Sequence, residues 1–283
     1  MIKKSFITGL IILIAYTVFV ELNPEINFHP HLWQGNLVKA QQFIYDDKET
    51  ASGENIIVGS SLAARIEMDS IPGFYNLAFP GLTAYDGLKI LQNTNISPKS
   101  IYIEANGMLK QENKNFINSL FHPIFFYSAK YIPPMRTRKQ PVGVFIEYLR
   151  HLSDFQAGGN DKPTEAKTFD LLFQEQEKEY SWYPNDNQIN TKADLLAEYV
   201  TYFESRGVKI YFFEMPINYQ LATYPYAVAV RKSIREKFPP EQYCYMASDT
   251  SKYHTTDGIH LNKQEAARYT HFFKTHLPKA NDE

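Results

Sequence analysis

The chain contains one cysteine, Cys244, in 283 residues. That excludes an intrachain disulfide framework and any Cys-rich zinc site. It also has little net charge: 29 Lys+Arg against 31 Asp+Glu give −2 at pH 7. Without a basic surplus there is no electrostatic footprint for nucleic acid. Internal repeats and low-complexity tracts are missing as well. At 44% hydrophobic and 21% charged residues, the composition excludes a disordered chain. A chain of this length buries a substantial core without disulfides or metals, as one large domain or two small ones. What it has in surplus is aromatic: 20 Tyr and 20 Phe, beside only 2 Trp. Such a surplus suits either aromatic-lined grooves and interfaces or a Phe/Tyr-rich core.

Long apolar runs are absent except at the N-terminus. Lys3 and Lys4 precede an uncharged run, Ser5 to Val20, and Glu21 follows it. A basic n-region before an apolar stretch is the pattern of a signal sequence or signal anchor. Counting from Ile2 to Leu22 brings the run to the length of a spanning helix. The residues around Val18-Phe19-Val20 are too bulky for a cleavage site, and no Cys follows for lipid attachment. The expectation is an uncleaved transmembrane anchor over 1–22, with the lysines cytoplasmic and the rest of the chain extracytoplasmic, periplasmic or at the cell surface. A buried helix of a soluble domain is the alternative.

Residues 23–53 read as a stalk, with Asn23-Pro24, His29-Pro30 and a weakly amphipathic stretch from Trp33 to Tyr45. From residue 54 to 283, strands alternate with helical patterns. This predicts an α/β domain with a central parallel sheet. The expected strands are Ile56–Val58, Tyr75–Ala78, Ser100–Glu104 and Val208–Phe213. Helices are expected over Ser61–Met68, from a Thr83 cap to Gln92, over Thr191–Glu204, and from Asn262 to Leu277, where Asn262 and Glu265 form a capping-box pair. The segment from about 112 to 190 breaks the alternation and reads as an insertion, a candidate lid. It carries Phe125-Phe126-Tyr127, the basic residues Arg136, Arg138 and Lys139, and a polar stretch from Gln156 to Lys167. The aromatic trio suits a membrane-facing or acyl-binding patch, but packing in the core of the insertion is the default for buried aromatics. The basic turn could meet anionic polymer or headgroups, against a solvated loop.

Three features carry chemistry. Gly59-Ser60-Ser61-Leu62 lies where a strand meets an expected helix, so a serine there sits at the carboxyl edge of the sheet beside helix N–H groups. Asp257-Gly258-Ile259-His260 precedes the last helix, and an acid three residues before a histidine can hold one ring nitrogen while the other faces a nucleophile. Gly81 and Asn106 follow the second and third strands and could donate to an oxyanion. Each alone has a plain structural use, as a helix cap, an Asx-turn, a turn glycine or a strand-end cap. His254 is near the Asp257 loop but has the setting of a surface residue. His29, His31, His122, His151, His271 and His276 are scattered, and no pair sits at a recognised metal-ligand spacing with further ligands, so neither metal nor cofactor is expected. Glu214, at the end of the fourth strand, either lines a cleft or caps the strand.

The order Ser, Gly, Asn, Asp-x-x-His after successive strands resembles the SGNH (GDSL-type) hydrolase superfamily. The resemblance covers residues 54–110 and 205–277. It implies a flavodoxin-like three-layer sandwich with Ser61 as nucleophile, His260 as base and Asp257 as its orienter, and an oxyanion hole from Ser61 N–H, Gly81 N–H and Asn106. The chain departs from the family pattern where Ser60 replaces the block-one Asp and where Glu104-Ala105-Asn106-Gly107 keeps only the Asn of block three. With its N-terminal anchor it is more similar to membrane-anchored members, such as D-alanine transfer proteins of teichoic acids and polysaccharide O-acetyltransferases. That implies an acyl-ester enzyme, O-acyltransferase or esterase, acting on an acylated surface glycan. It also implies a multi-spanning membrane acyltransferase as partner. The alternatives are a lipid-directed esterase or lysophospholipase, and a non-catalytic scaffold of a polysaccharide-modifying complex.

Overall fold

The computed structural model describes residues 2–22, 31–145, 166–249 and 251–278, with only the backbone of Lys48 and Glu49. His29, His151 and most of the polar stretch from Gln156 lie outside the described residues. In chain order the helices are α1 (Ile2–Leu22), α2 (Leu32–Gln42), α3 (Ala84–Thr94), α4 (Lys114–Phe121), α5 (Pro123–Tyr131), α6 (Ala166–Ser181), α7 (Asp186–Glu204), α8 (Pro225–Lys237) and α9 (Lys263–Thr275). The strands are β1 (Asn55–Val58), β2 (Phe74–Asn76), β3 (Ser100–Glu104), β4 (Lys209–Phe213) and β5 (Cys244–Tyr245). The chain divides into two compact units, Met1–Asp46 with Lys114–Asn160, and Asp47–Asn113 with Asp161–Glu283.

The first unit is helical. α1 is long and apolar enough to cross a membrane. Among the described residues of the expected stalk, α2 runs into a π-helical turn, Phe43–Asp47, with Phe43 and Ile44 buried. Of the expected insertion, the part from Lys114 groups with this unit. The part from Asp161, which includes α6 and the start of α7, groups with the α/β unit instead.

The second unit is built on a five-stranded parallel sheet in the order β2-β1-β3-β4-β5. This is a doubly wound order, with its reversal between β1 and β3. β3 is buried along its whole length, as a strand covered on both faces should be. One face presents Ile57, Tyr102 and Phe213 to α9, where Tyr269 and Phe273 meet them. α3 and α7 pack against β1 and β4. The other face carries α3 closely enough that a side-chain carbon at Gly87 would lie 2.9 Å from Val58 Cγ1. Helices on both faces are compatible with a three-layer α/β sandwich.

Most local expectations survive. α3 starts at a capping box between Thr83 and Asp86, and Asn262 Oδ1 accepts the Glu265 N–H at the start of α9. One does not. Ser61–Met68 is not an α-helix but two three-residue 3₁₀ turns, Ala63–Arg65 and Met68–Ser70. Ser61 therefore has no helix dipole behind it, since the dipole is a sum over aligned peptides.

Candidate active site

The second unit supplies every residue of the candidate site. The loop after β1 turns over Gly59. A side-chain carbon there would lie 2.5 Å from Glu104 Oε2 and 2.7 Å from Ala63 Cβ, so glycine is required by close approach. The Glu104 carboxylate, at the end of β3, fills that space. It accepts the Ser60 N–H at 2.7 Å, the Ala63 N–H at 3.2 Å and the Ser60 hydroxyl at 2.9 Å. N–H groups that a helix would leave to solvent or caps are thus satisfied by one buried side chain. Burial pushes the Glu104 carboxyl above its ordinary range, although the bonds from Ser60 and Ala63 pull the other way. Glu104 was not among the residues that sequence singled out for the site. Its only sequence signal is an acid at the end of an otherwise apolar strand.

This turn presents Ser61 outward to the loop before α9. Ser61 Oγ lies 2.7 Å from His260 Nε2, and His260 Nδ1 lies 2.6 Å from Asp257 Oδ2. The second Asp257 oxygen accepts the backbone N–H groups of His260 at 2.8 Å and Ile259 at 3.0 Å. Burial pushes Asp257 up, but the bonds from the His260 ring and backbone outweigh it, and the carboxyl is held below its usual range. Gly258 makes the loop possible: its φ is +102°, and a side-chain carbon would meet Phe173 at 2.8 Å and Leu221 at 3.0 Å. The Arg65 guanidinium donates to the Leu261 carbonyl and so ties the serine turn to the histidine loop.

Ser61, Gly81 and Asn106 line one cavity of about 70 Å³, together with Lys110, Gln176 and Tyr180. Neither the Ser61 nor the Gly81 N–H finds an acceptor among the described residues. Asn106 is more occupied than its motif suggests. Its Oδ1 accepts the Met215 N–H at 2.8 Å and its Nδ2 donates to the Met215 carbonyl at 3.0 Å, which clamps the end of β3 to the end of β4. One Nδ2 hydrogen remains for a ligand. Gln176 Oε1 is buried beside the cavity with no partner among the described residues. No motif in the sequence marks it, since α6 falls in the segment that reads as an insertion.

His254 is exposed. Glu214 pairs with Arg231 at 2.8 Å. Among the described residues no cluster of His, Cys, Asp or Glu could hold a metal ion. Comparison with protein-family models, curated proteins and solved structures gives no match for this chain.

Proposed function

We propose that this chain is a serine-dependent acyl-ester enzyme of SGNH type, working outside the cytoplasm on an ester of a surface glycan. The observation that carries the reading is the continuous relay from Ser61 Oγ through His260 to Asp257, at 2.7 and 2.6 Å. In the proposed step Ser61 Oγ attacks the ester carbonyl while His260 Nε2 takes the hydroxyl proton. The oxyanion is held by the Ser61 and Gly81 N–H groups and the remaining Asn106 Nδ2 hydrogen. His260 returns the proton to the departing alcohol, leaving the acyl group on Ser61. Water or a sugar hydroxyl then attacks, again with His260 as base, so hydrolysis and transfer share every residue.

Two further observations support this reading. The serine turn and Asn106 follow β1 and β3, the pair of strands between which the sheet order reverses, where doubly wound sheets bind ligands. The cavity of about 70 Å³ that Ser61, Gly81 and Asn106 share gives an acyl group a place beside the nucleophile. With α1 as an uncleaved anchor and Lys3 and Lys4 cytoplasmic, the site would lie outside the cell membrane.

The test is labelling of the full chain by a fluorophosphonate probe, alone and after Ser61→Ala. Labelling that depends on Ser61 and His260 is the expected result. A folded chain that takes up no probe would overturn the reading in favour of a scaffold.

A further inference from the structure

The first unit contains an apolar surface that its own core does not use. On α5 the inner side is packed: Ala129 is buried, and the Phe126 ring lies 5.8 Å from Tyr45 and 5.9 Å from Phe121. The other side is bare. Ile124 is 71% exposed, Phe125 59% and Tyr131 69%, and Met135 in the following turn is 50% exposed. Phe126 thus packs inside the unit, the default expectation for the aromatic trio, whereas Phe125 and Tyr127 turn outward. Large apolar side chains exposed this close together in the chain, with Tyr127 stacked on Tyr131, suit an interaction surface.

The anchor helix sets the level of this patch. α5 leads directly into the turn Pro133–Met135, which packs against α1. Immediately beyond, the Tyr16 hydroxyl donates to the Lys139 carbonyl at 2.8 Å. Tyr16 is six residues before the end of α1, which is about 9 Å at 1.5 Å per residue. The helix needs nearly all of its 21 residues, about 31 Å, to cross a hydrocarbon core of about 30 Å. A turn fixed beside Tyr16 thus lies at or below the outer boundary of that core.

The polar groups of the turn suit that depth. The Lys139 carbonyl is taken by Tyr16, and Lys139 Nζ meets Glu21 at 2.5 Å. Arg136 meets Asp46 at 2.7 Å and donates to the Ala129 carbonyl, and the Thr137 N–H reaches Gln41 Oε1. Arg136 and Lys139 are paired within the unit, while the exposed Lys130 and Arg138 add cationic groups beside the outward apolar side chains, a mixture that suits the acyl and headgroup boundary.

We infer that α5 and the turn after it dock on the outer leaflet, so that the anchor helix is accompanied by a collar whose partner is the lipid bilayer itself. The inference rests on the anchor reading of α1, and the experiment separates the two. The full chain, with Cys244→Ser, receives a single cysteine at Ile11→Cys, Phe125→Cys or Ile124→Cys, labelled with a polarity-sensitive fluorophore. Each protein is reconstituted into phosphatidylcholine vesicles with and without brominated acyl chains. The expected result is blue-shifted emission and loss of intensity in brominated lipid at 11, 124 and 125. Quenching at 11 with water-like, unquenched emission at 124 and 125 overturns the collar and leaves the anchor standing. Blue-shifted but unquenched emission at 124 and 125 means that protein covers the patch, and also overturns it. No quenching at any position overturns the anchor and the collar together.

Discussion

Removing the Glu104 carboxylate tests how the serine turn is held. In Glu104→Ala the N–H groups of Ser60 and Ala63 lose their acceptor. Each buried donor left unpaired costs about 1–3 kcal/mol, so the variant should lose about 2–6 kcal/mol unless water fills the gap. Glu104→Gln is gentler. Its amide oxygen can occupy the Oε2 position and keep both backbone bonds, and its NH₂ can donate to the Ser60 hydroxyl. The two variants differ in what pH does. Burial raises the folded pKa of Glu104 above the ordinary value near 4.5. Between those two values the folded state carries the extra proton, so its stability falls as pH rises. Below pH 4.5 the contribution is fully present, and it is lost as pH rises through the folded pKa. Glutamine has no such dependence. The difference in unfolding free energy between wild type and Glu104→Gln, from urea titrations at successive pH values, should therefore decline from pH 4.5 upward. Its slope should not exceed about 1.4 kcal/mol per pH unit for one proton. A flat difference, or one that rises with pH, would refute the idea that burial dominates this carboxylate. The same proteins give a second readout. Glu104→Ala should label slowly with fluorophosphonate while glutamine restores the rate, and equal rates in all three would remove Glu104 from any positioning role.

Other expectations follow from the same contacts. Ser61→Ala should abolish probe labelling and ester turnover while leaving the melting temperature within a degree or two, since its hydroxyl bonds only His260. Asp257→Asn should lose an acid-dependent increment of stability. Its folded pKa lies below the ordinary 3.8, so that increment is present above 3.8 and disappears as pH falls through the folded pKa; urea titrations on the acid limb would show it. Gly258→Ala should cost about 1–3 kcal/mol for the left-handed backbone alone, with the clash against Phe173 and Leu221 added. A melting curve unchanged from wild type would contradict that geometry. Asn106→Ala should both lower turnover, by about 10²–10³-fold if it is an oxyanion donor, and destabilise the β3–β4 edge by freeing the Met215 N–H and carbonyl. Loss of stability with turnover intact would leave it a clamp only.

The parts legible in sequence are those whose cause is local. Ser100–Glu104 and Lys209–Phe213 are short runs rich in β-branched and aromatic residues, and the burial of the first along its whole length and of Ile210, Phe212 and Phe213 in the second follows from that composition. The Asn262 cap and the Asp257–His260 pair lie within three residues of their partners, so spacing alone places them. The misreadings share a different cause. The serine turn carries helix-forming residues, Leu62 to Ala64, but the groups that decide its shape are 41–44 residues away in Glu104. No local pattern announces a donor that will be satisfied at that distance. β5 is two residues long, too short to leave a periodic signal. Phe125 and Tyr127 turn outward while Phe126 packs inward, and the outward pair has a thermodynamic reading. The expectation that rings turn inward assumes water outside, and the exposed rings of α5 belong to the same unit as an apolar helix that is itself almost wholly exposed. If lipid surrounds both, the outward rings lose no hydrophobic free energy, and the pattern of burial inverts without any change in residue type.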